Sequence, residues 1–231
     1  MNYYFLLEDE KSFLKVLPKW LYYMEFPCER VVDIKAVEEN NYVLQSGRGV
    51  TQLVTRVIFD TIETIKLNPG KIDKLIIVLD TESETVEYRR KQVLEKIEEK
   101  YTIEELPVEI VILVCNRCFE SWLLGRVNLY PAQVDPDSDF FPFYSHYNIE
   151  TNDPEKMLVP DEKDETLAKF HFHYLCELFR FHKIRYSKNN TKHVEHKEYF
   201  DGMLERIQKT DHIDSFKTFI DFIEKEKDNF K

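Results

Sequence analysis

The chain predicts an α/β fold: a mostly parallel four-stranded sheet flanked by helices, with a helical C-terminal extension. Three observations predict it. Residues 75–79 read Leu-Ile-Ile-Val-Leu and stop at Asp80, the pattern of a strand buried on both faces. Strand-like runs alternate with amphipathic helical patterns through residues 1–125, the order expected of a sheet covered by helices. Beyond residue 165 only helical periodicity is left.

Residues 3–7, aromatic and aliphatic, form the first strand and end at Glu8. Phe13, Leu14, Leu17, Leu21 and Met24 recur at three- and four-residue spacing, so a helix follows, with Pro18 expected to kink or shorten it. Residues 31–37 make a second strand, Asn40-Asn41 a turn, and residues 42–44 a short edge strand. Gly47-Arg48-Gly49 leads into a helix carrying Leu53, Val54, Val57, Ile58, Ile62 and Ile65, which Asn68-Pro69-Gly70 ends. The run into Asp80 comes next, then a helix with Val86, Val93, Leu94, Ile97 and Tyr101. Residues 108–114 are another apolar strand, leading to a helix start at residues 116–124. From 125 to about 164 five prolines punctuate a segment rich in Asp, Tyr and Phe, too aromatic for a disordered linker and expected as an ordered loop or lid. Helices are expected over 166–181 and 194–208, and a third carries Ile213, Phe216, Ile220 and Ile223. The chain thus divides into an α/β domain, 1–125, and a lid plus helical part, 126–231, packed on the same core.

With 43% hydrophobic and 14% aromatic residues the chain can build a core, and global disorder is excluded. No apolar run is long enough to span a bilayer, and the first residues lack a signal-peptide pattern. Four cysteines without a framework of spacings suit a reducing, cytoplasmic setting. The net charge of −11 argues against binding nucleic acid by charge alone, though not against an enzyme that approaches phosphates through metal ions.

Acids follow successive strand ends: Glu8 the first, Asp80 the third strong one, and Glu120 just beyond the last. In a parallel sheet all three converge on one edge, where open α/β sheets place their ligands. Converging carboxylates need a counter-charge, and Mg²⁺ or Mn²⁺ supplies it with oxygen ligation. Each acid alone reads equally well as a cap of the helix that follows.

These residues resemble a known family. Tyr3-Tyr4-Phe5-Leu6-Leu7-Glu8, then Leu75 to Asp80-Thr81-Glu82, then Phe119-Glu120-Ser121-Trp122-Leu123-Leu124 look like the TOPRIM fold, and closer still like bacterial TOPRIM proteins of phage defence, the OLD-family nucleases and RloB-like proteins. The likeness covers about the first 125 residues. It implies a metal site held by Glu8, Asp80 and Glu82, with Glu84 and Glu120 as secondary ligands or orienting groups. It implies Glu8, Asp80, Glu82 and Lys188 as the catalytic set, an antiviral or mobile-element setting, and an ATPase partner subunit. A homo-oligomer is also compatible with it. The chain differs from the pattern at Asp9, where glycine is usual, at Ser12, where an acid is usual, and at Glu82, where the second Asp of D-x-D is usual. These differences favour a second expectation, a catalytically degenerate TOPRIM-like interaction subunit.

Residues 180–197 carry six Lys or Arg (Arg180, Lys183, Arg185, Lys188, Lys192, Lys197) against Glu195 alone, so this stretch is basic in an acidic chain. It suits contact with a phosphate backbone or is simply a solvated charged loop. Lys183, Arg185, Lys188, Lys192 and Arg48 are the candidate nucleic-acid contacts, with Lys188 near the metals by resemblance. Gly47-Arg48-Gly49 is too short for a P-loop and reads best as a turn. Cys115 and Cys118 have half a zinc-ribbon spacing with no second pair, so buried thiols are the default. The leading expectation is metal-dependent cleavage of phosphodiesters in DNA or RNA. A small-molecule phosphotransferase would instead need a closed pocket with the basic stretch away from the acids.

Overall fold

The computed structural model describes residues 1–230; Lys231 lies outside them. Five strands form one sheet: β1 (Tyr3–Leu7), β2 (Glu29–Val31), β3 (Asn41–Ser46), β4 (Lys74–Asp80) and β5 (Glu109–Cys115), in the order β2-β3-β1-β4-β5 with every neighbouring pair parallel. The sheet thus has five strands rather than four and is wholly parallel. The difference arises between β1 and β4. Asp33 accepts the Lys35 N–H at 2.8 Å and caps a 3-10 turn, Ile34–Ala36, which ends the second strand early. The stretch expected at the edge is instead β3, an interior strand between β2 and β1.

Helix α1 (Phe13–Tyr23) runs through Pro18 without a break in its assignment. Its buried stripe of Phe13, Val16, Leu17, Trp20 and Leu21 supplies packing that outweighs one missing backbone bond. The helix after Gly49 is composite: α2 (Val50–Gln52), a π segment (Leu53–Val57) and α3 (Ile58–Lys66). Helix α4 (Val86–Glu98) starts with the Thr85 hydroxyl accepting the Tyr88 N–H at 3.1 Å. Helix α5 (Phe119–Leu124) has all six residues buried. The proline-rich stretch is ordered, with a short α6 (Phe141–His146) and a 3-10 turn at Pro154–Lys156. Helices α7 (Leu167–Phe181), α8 (Lys197–Lys209) and α9 (Asp214–Lys227) complete the chain, the second starting three residues later than its pattern suggests.

Side chains alternate across the sheet as the pleat requires. Tyr3, Phe5, Leu7, Ile76, Val78 and Leu113 face one core with α1, α5, α7, α8 and α9, while Tyr4, Leu6, Leu75, Ile77 and Val114 face the other with α3 and α4. The C-terminal half therefore covers one face of the sheet. At the amino end of the strands Glu226 of α9 ties it down, accepting from Tyr3 Oη at 2.9 Å and from Lys74 Nζ at 2.7 Å. No helix among the described residues is long and apolar enough to cross a membrane.

The connections decide where a ligand fits. From β1 the chain leaves through α1 on one face toward β2; from neighbouring β4 it leaves through α4 on the other face toward β5. The carboxyl ends of β1 and β4 thus flank the switch point, where open α/β sheets leave a crevice.

Candidate functional site: an acidic cleft at the switch point

At this crevice lies a cleft of about 240 Å³ bordered by Glu8, Asp9, Glu10, Lys11, Gly49, Asp80, Phe119, Glu120 and Lys188. Parallel register accounts for most of it. Leu7 pairs with Val78, so the residues after each strand emerge together, and Asp80 pairs with Cys115, which brings the start of α5 alongside.

Glu8 has a fixed orientation. Its Oε2 accepts the Asp80 N–H at 2.7 Å, and the Val50 N–H at the start of α2 also faces it. The Glu8 carbonyl accepts the Gly49 N–H at 2.9 Å, a turn that needs glycine because its φ is +85°. Burial, with Glu82 nearby, pushes the Glu8 carboxyl up to about 7 against the help of those N–H donors. Asp80 is half-buried and raised well above the usual carboxylate range, first by burial and then by Glu8, Glu120 and Asp9, with Lys188 opposing.

Glu120 sits in the first turn of α5, 3% exposed, and its Oε1 has no hydrogen-bond partner among the described residues. Burial raises its carboxyl, and Lys188 is the main opposing influence. Lys188 comes from a tight turn closed by the Ser187–Asn190 bridge, which Lys15 Nζ of α1 anchors by donating to Asn189 O at 2.8 Å. Glu120, then Asp9 and Asp80, raise the Lys188 ammonium, which makes no ion pair within 4.0 Å among the described residues and lies 5.8 Å from the centroid of the Phe172 ring.

The structure therefore brings together Glu8, Asp80, Glu120 and Lys188. Others stand apart. Glu82, at φ +56° on an exposed turn, borders no part of the cleft, although its charge reaches Glu8. Glu84 is exposed farther along the same turn. Lys183, Lys192 and Arg48 are exposed and border neither this cleft nor its neighbour, while Arg185 lines an adjoining groove with Arg180, Tyr186 and Asn190.

Asp9 is the member that motif comparison treats as a mismatch. Its Oδ2 accepts the N–H of Lys11 at 2.5 Å and of Phe13 at 3.1 Å, and its Oδ1 accepts the Ser12 hydroxyl at 2.7 Å. It shapes the turn into α1, and an Asp just before an apolar-periodic helix was the available signal. Ser12, wholly buried against it, is part of that turn rather than of the cleft wall. Behind Glu82, Arg89 is buried and donates to Thr81 O at 3.0 Å. Tyr186 was also missed; its hydroxyl is buried beyond Glu120 without a hydrogen-bond partner among the described residues.

As a set, the cleft offers hard oxygen donors and the ammonium groups of Lys11 and Lys188. No group of three His, Cys, Asp or Glu side chains gathers about a single metal position among the described residues. Cys28, Cys115 and Cys118 are buried and Cys176 half-buried, none within such a group. Comparisons with protein-family models, with curated proteins and with solved structures return no match.

Proposed function

We propose that the chain cleaves phosphodiester bonds in nucleic acid with the help of Mg²⁺ or Mn²⁺, as the TOPRIM resemblance implies. One observation carries this reading: Asp80, Glu8, buried Glu120 and Lys188 converge at the switch point of a parallel sheet. The donors fit a hard cation, because Mg²⁺ commonly takes one or two carboxylates and completes its shell with water and phosphate oxygens. Asp80 and Glu8 would hold it, with Glu120 bordering the same cleft. When bound, the cation supplies charge neutralisation and activation of water. The chain's own residues do the rest. Lys188 attracts a non-bridging phosphate oxygen, placed where negative charge grows as the bond breaks. Glu8 locks the ends of β1 and β4 together and so holds Asp80 in place. Asp9 shapes the turn on the near side.

A second reading, an interaction subunit with the fold and without the chemistry, is favoured by the lack of a three-acid group among the described residues. The defence setting and an ATPase partner rest on the family resemblance alone.

Incubation with plasmid, single-stranded DNA and tRNA in Mg²⁺ or Mn²⁺ separates the two. Under the leading reading the wild type cuts one of them, Asp80→Asn does not, and Mn²⁺ raises the melting temperature of the wild type alone. No cleavage and no Mn²⁺ shift would leave the interaction subunit.

A further inference from the structure

The sequence points to Lys188 as the cation of the cleft, but the wall carries a second one. Lys11 borders the same space of about 240 Å³ as Glu8, Asp80, Glu120 and Lys188. It is exposed and makes no ion pair within 4.0 Å among the described residues, although Asp9 and Glu10 beside it border the cleft too. An ammonium that stands at an acidic cleft without closing onto its acids keeps its three donors for a ligand. The ligand that suits it is an anion.

The backbone that carries Lys11 is fixed. Asp9 Oδ2 accepts the Lys11 N–H at 2.5 Å and the Phe13 N–H at 3.1 Å, and Asp9 Oδ1 accepts the Ser12 hydroxyl at 2.7 Å. Asp9 and Ser12, two of the positions where the chain departs from the TOPRIM pattern, thus build the turn that delivers this lysine to the cleft. Asp9 already meets the first N–H of α1, which leaves the Lys11 side chain as a free donor on this side.

Position decides which phosphate it meets. In the order β1-β4-β5, Asp80 ends the middle strand, and Lys11 belongs to the loop that leaves β1, to one side of it. Where Asp80 holds the cation, and with it the phosphate that is cut, Lys11 stands beside the next phosphate. The cleft is also smaller than the roughly 300–1,000 Å³ of sites that engulf a small molecule, which suits a strand crossing it better than a free nucleotide filling it.

Resting on the cleavage proposal, we infer that Lys11 holds a phosphate neighbouring the one that is cut, so that the substrate is a strand spanning the cleft and not a single nucleotide. Lys11 is a substrate-binding residue: it sets the register of the strand over Asp80 and leaves the breaking bond to others.

The test is binding, so that it does not depend on turnover. Full-length Asp80→Asn protein in EDTA is titrated with fluorescent octauridylate and octathymidylate over a range of salt, with the matching 3′-monophosphate as competitor. Adding Lys11→Gln should weaken the tighter of the two strands about fivefold and lower the slope of log affinity against log salt by about 0.7, the loss of one phosphate contact on a single strand. The melting temperature should not move, and Lys11→Arg should keep both affinity and slope. Lys188→Gln should lower the slope by a similar amount, and the two substitutions together by about 1.4, because they serve different phosphates. A combined loss no larger than either single loss overturns the assignment to neighbouring phosphates. Unchanged affinity and slope in Lys11→Gln, or no binding of either octamer, overturns the inference outright, as does a monophosphate competing as well as the octamer. Strand binding with these signatures but no cleavage by the wild type would sink the cleavage proposal and leave this one standing; cleavage whose rate and KM are untouched by Lys11→Gln would do the reverse.

Discussion

Two clefts of about 240 Å³ open at the carboxyl edge of the same sheet, and they treat a buried glutamate in opposite ways. At the switch point, among the described residues, Glu120 keeps an unpartnered oxygen and Lys188 stands outside any ion pair. Beyond β5 lies Glu155, 3% exposed, whose carboxyl burial raises to about 7, yet which is fully engaged. Its Oε1 accepts the Ser215 hydroxyl, and its Oε2 faces Asn116 Nδ2 at 3.3 Å and Ser215 N at 3.4 Å. Ser215 Oγ in turn accepts from Trp122 Nε1 at 2.7 Å and Asn116 N at 2.9 Å. A closed polar network of this kind joins elements: here the end of β5, α5 and the start of α9. An open one keeps capacity for a ligand. Perturbed titration alone therefore does not separate the two glutamates, and hydrogen-bond satisfaction does.

The largest effect that would break this contrast is catalytic. Under the proposed cleavage function, Asp80→Asn should lower activity by at least about a thousandfold, some 4 kcal/mol of transition-state stabilisation, while leaving the fold intact. Ser215→Ala should leave the residual activity per folded molecule unchanged. A loss of activity at Ser215 equal to that at Asp80 would move the chemistry to the other cleft.

Next comes stability. Ser215→Ala strands Trp122 Nε1, the Asn116 N–H and one oxygen of Glu155 together, and should cost about 2–3 kcal/mol in urea unfolding. Tyr186→Phe removes a hydroxyl that has no partner among the described residues and should cost under about 0.5 kcal/mol or even stabilise. A larger cost at Tyr186 than at Ser215 would reverse the assignment of the open and closed networks.

Titration sharpens the contrast further. Glu155 rises from 4.5 to about 7 in the fold, so between those values the native chain holds a proton that the unfolded chain releases. Its contribution is complete below about 4.5, fades as pH climbs through 7, and is then gone, a loss of roughly 3 kcal/mol. Glu155→Gln should flatten that decline between pH 5 and pH 8, as read from urea midpoints at each pH. An unchanged slope would mean that Glu155 is ionised throughout. Glu8 has the same sign and a similar range, so part of the decline is expected to persist in the variant.

These regions also differ in how far they can be read from residues alone. β4 is legible because an apolar run flanked by turn residues has few other uses, and the meeting of Glu8, Asp80 and Glu120 follows from parallel strands whose ends line up. Residues 31–37 mislead, since Val31, Ile34 and Val37 fit a strand until Asp33 turns the backbone. Lys188 reaches the cleft only because the turn at Ser187–Asn190 docks on α1, a contact 174 residues apart in sequence. Glu155 and Ser215 are separated by 60 residues with no spacing rule to pair them. Contacts set by local periodicity or by strand ends can be anticipated; those set by how a distant loop packs cannot.

The smallest effects fall on the exposed cations. Lys183, Lys192 and Arg48 sit outside both clefts, in water, where a single charge is worth little and salt screens it. Each alanine substitution should change oligonucleotide affinity by less than about threefold at 0.15 M salt. Lys188→Ala should weaken binding more than any of them, because Lys188, although also exposed, is the one of these that borders the cleft beside Glu120 and Asp80. A loss at Lys192 or Lys183 that matches the loss at Lys188 would show a bound strand leaving the cleft along the basic stretch. The open network at the switch point would then be the start of a longer track, and Arg185 in the adjoining groove its next contact.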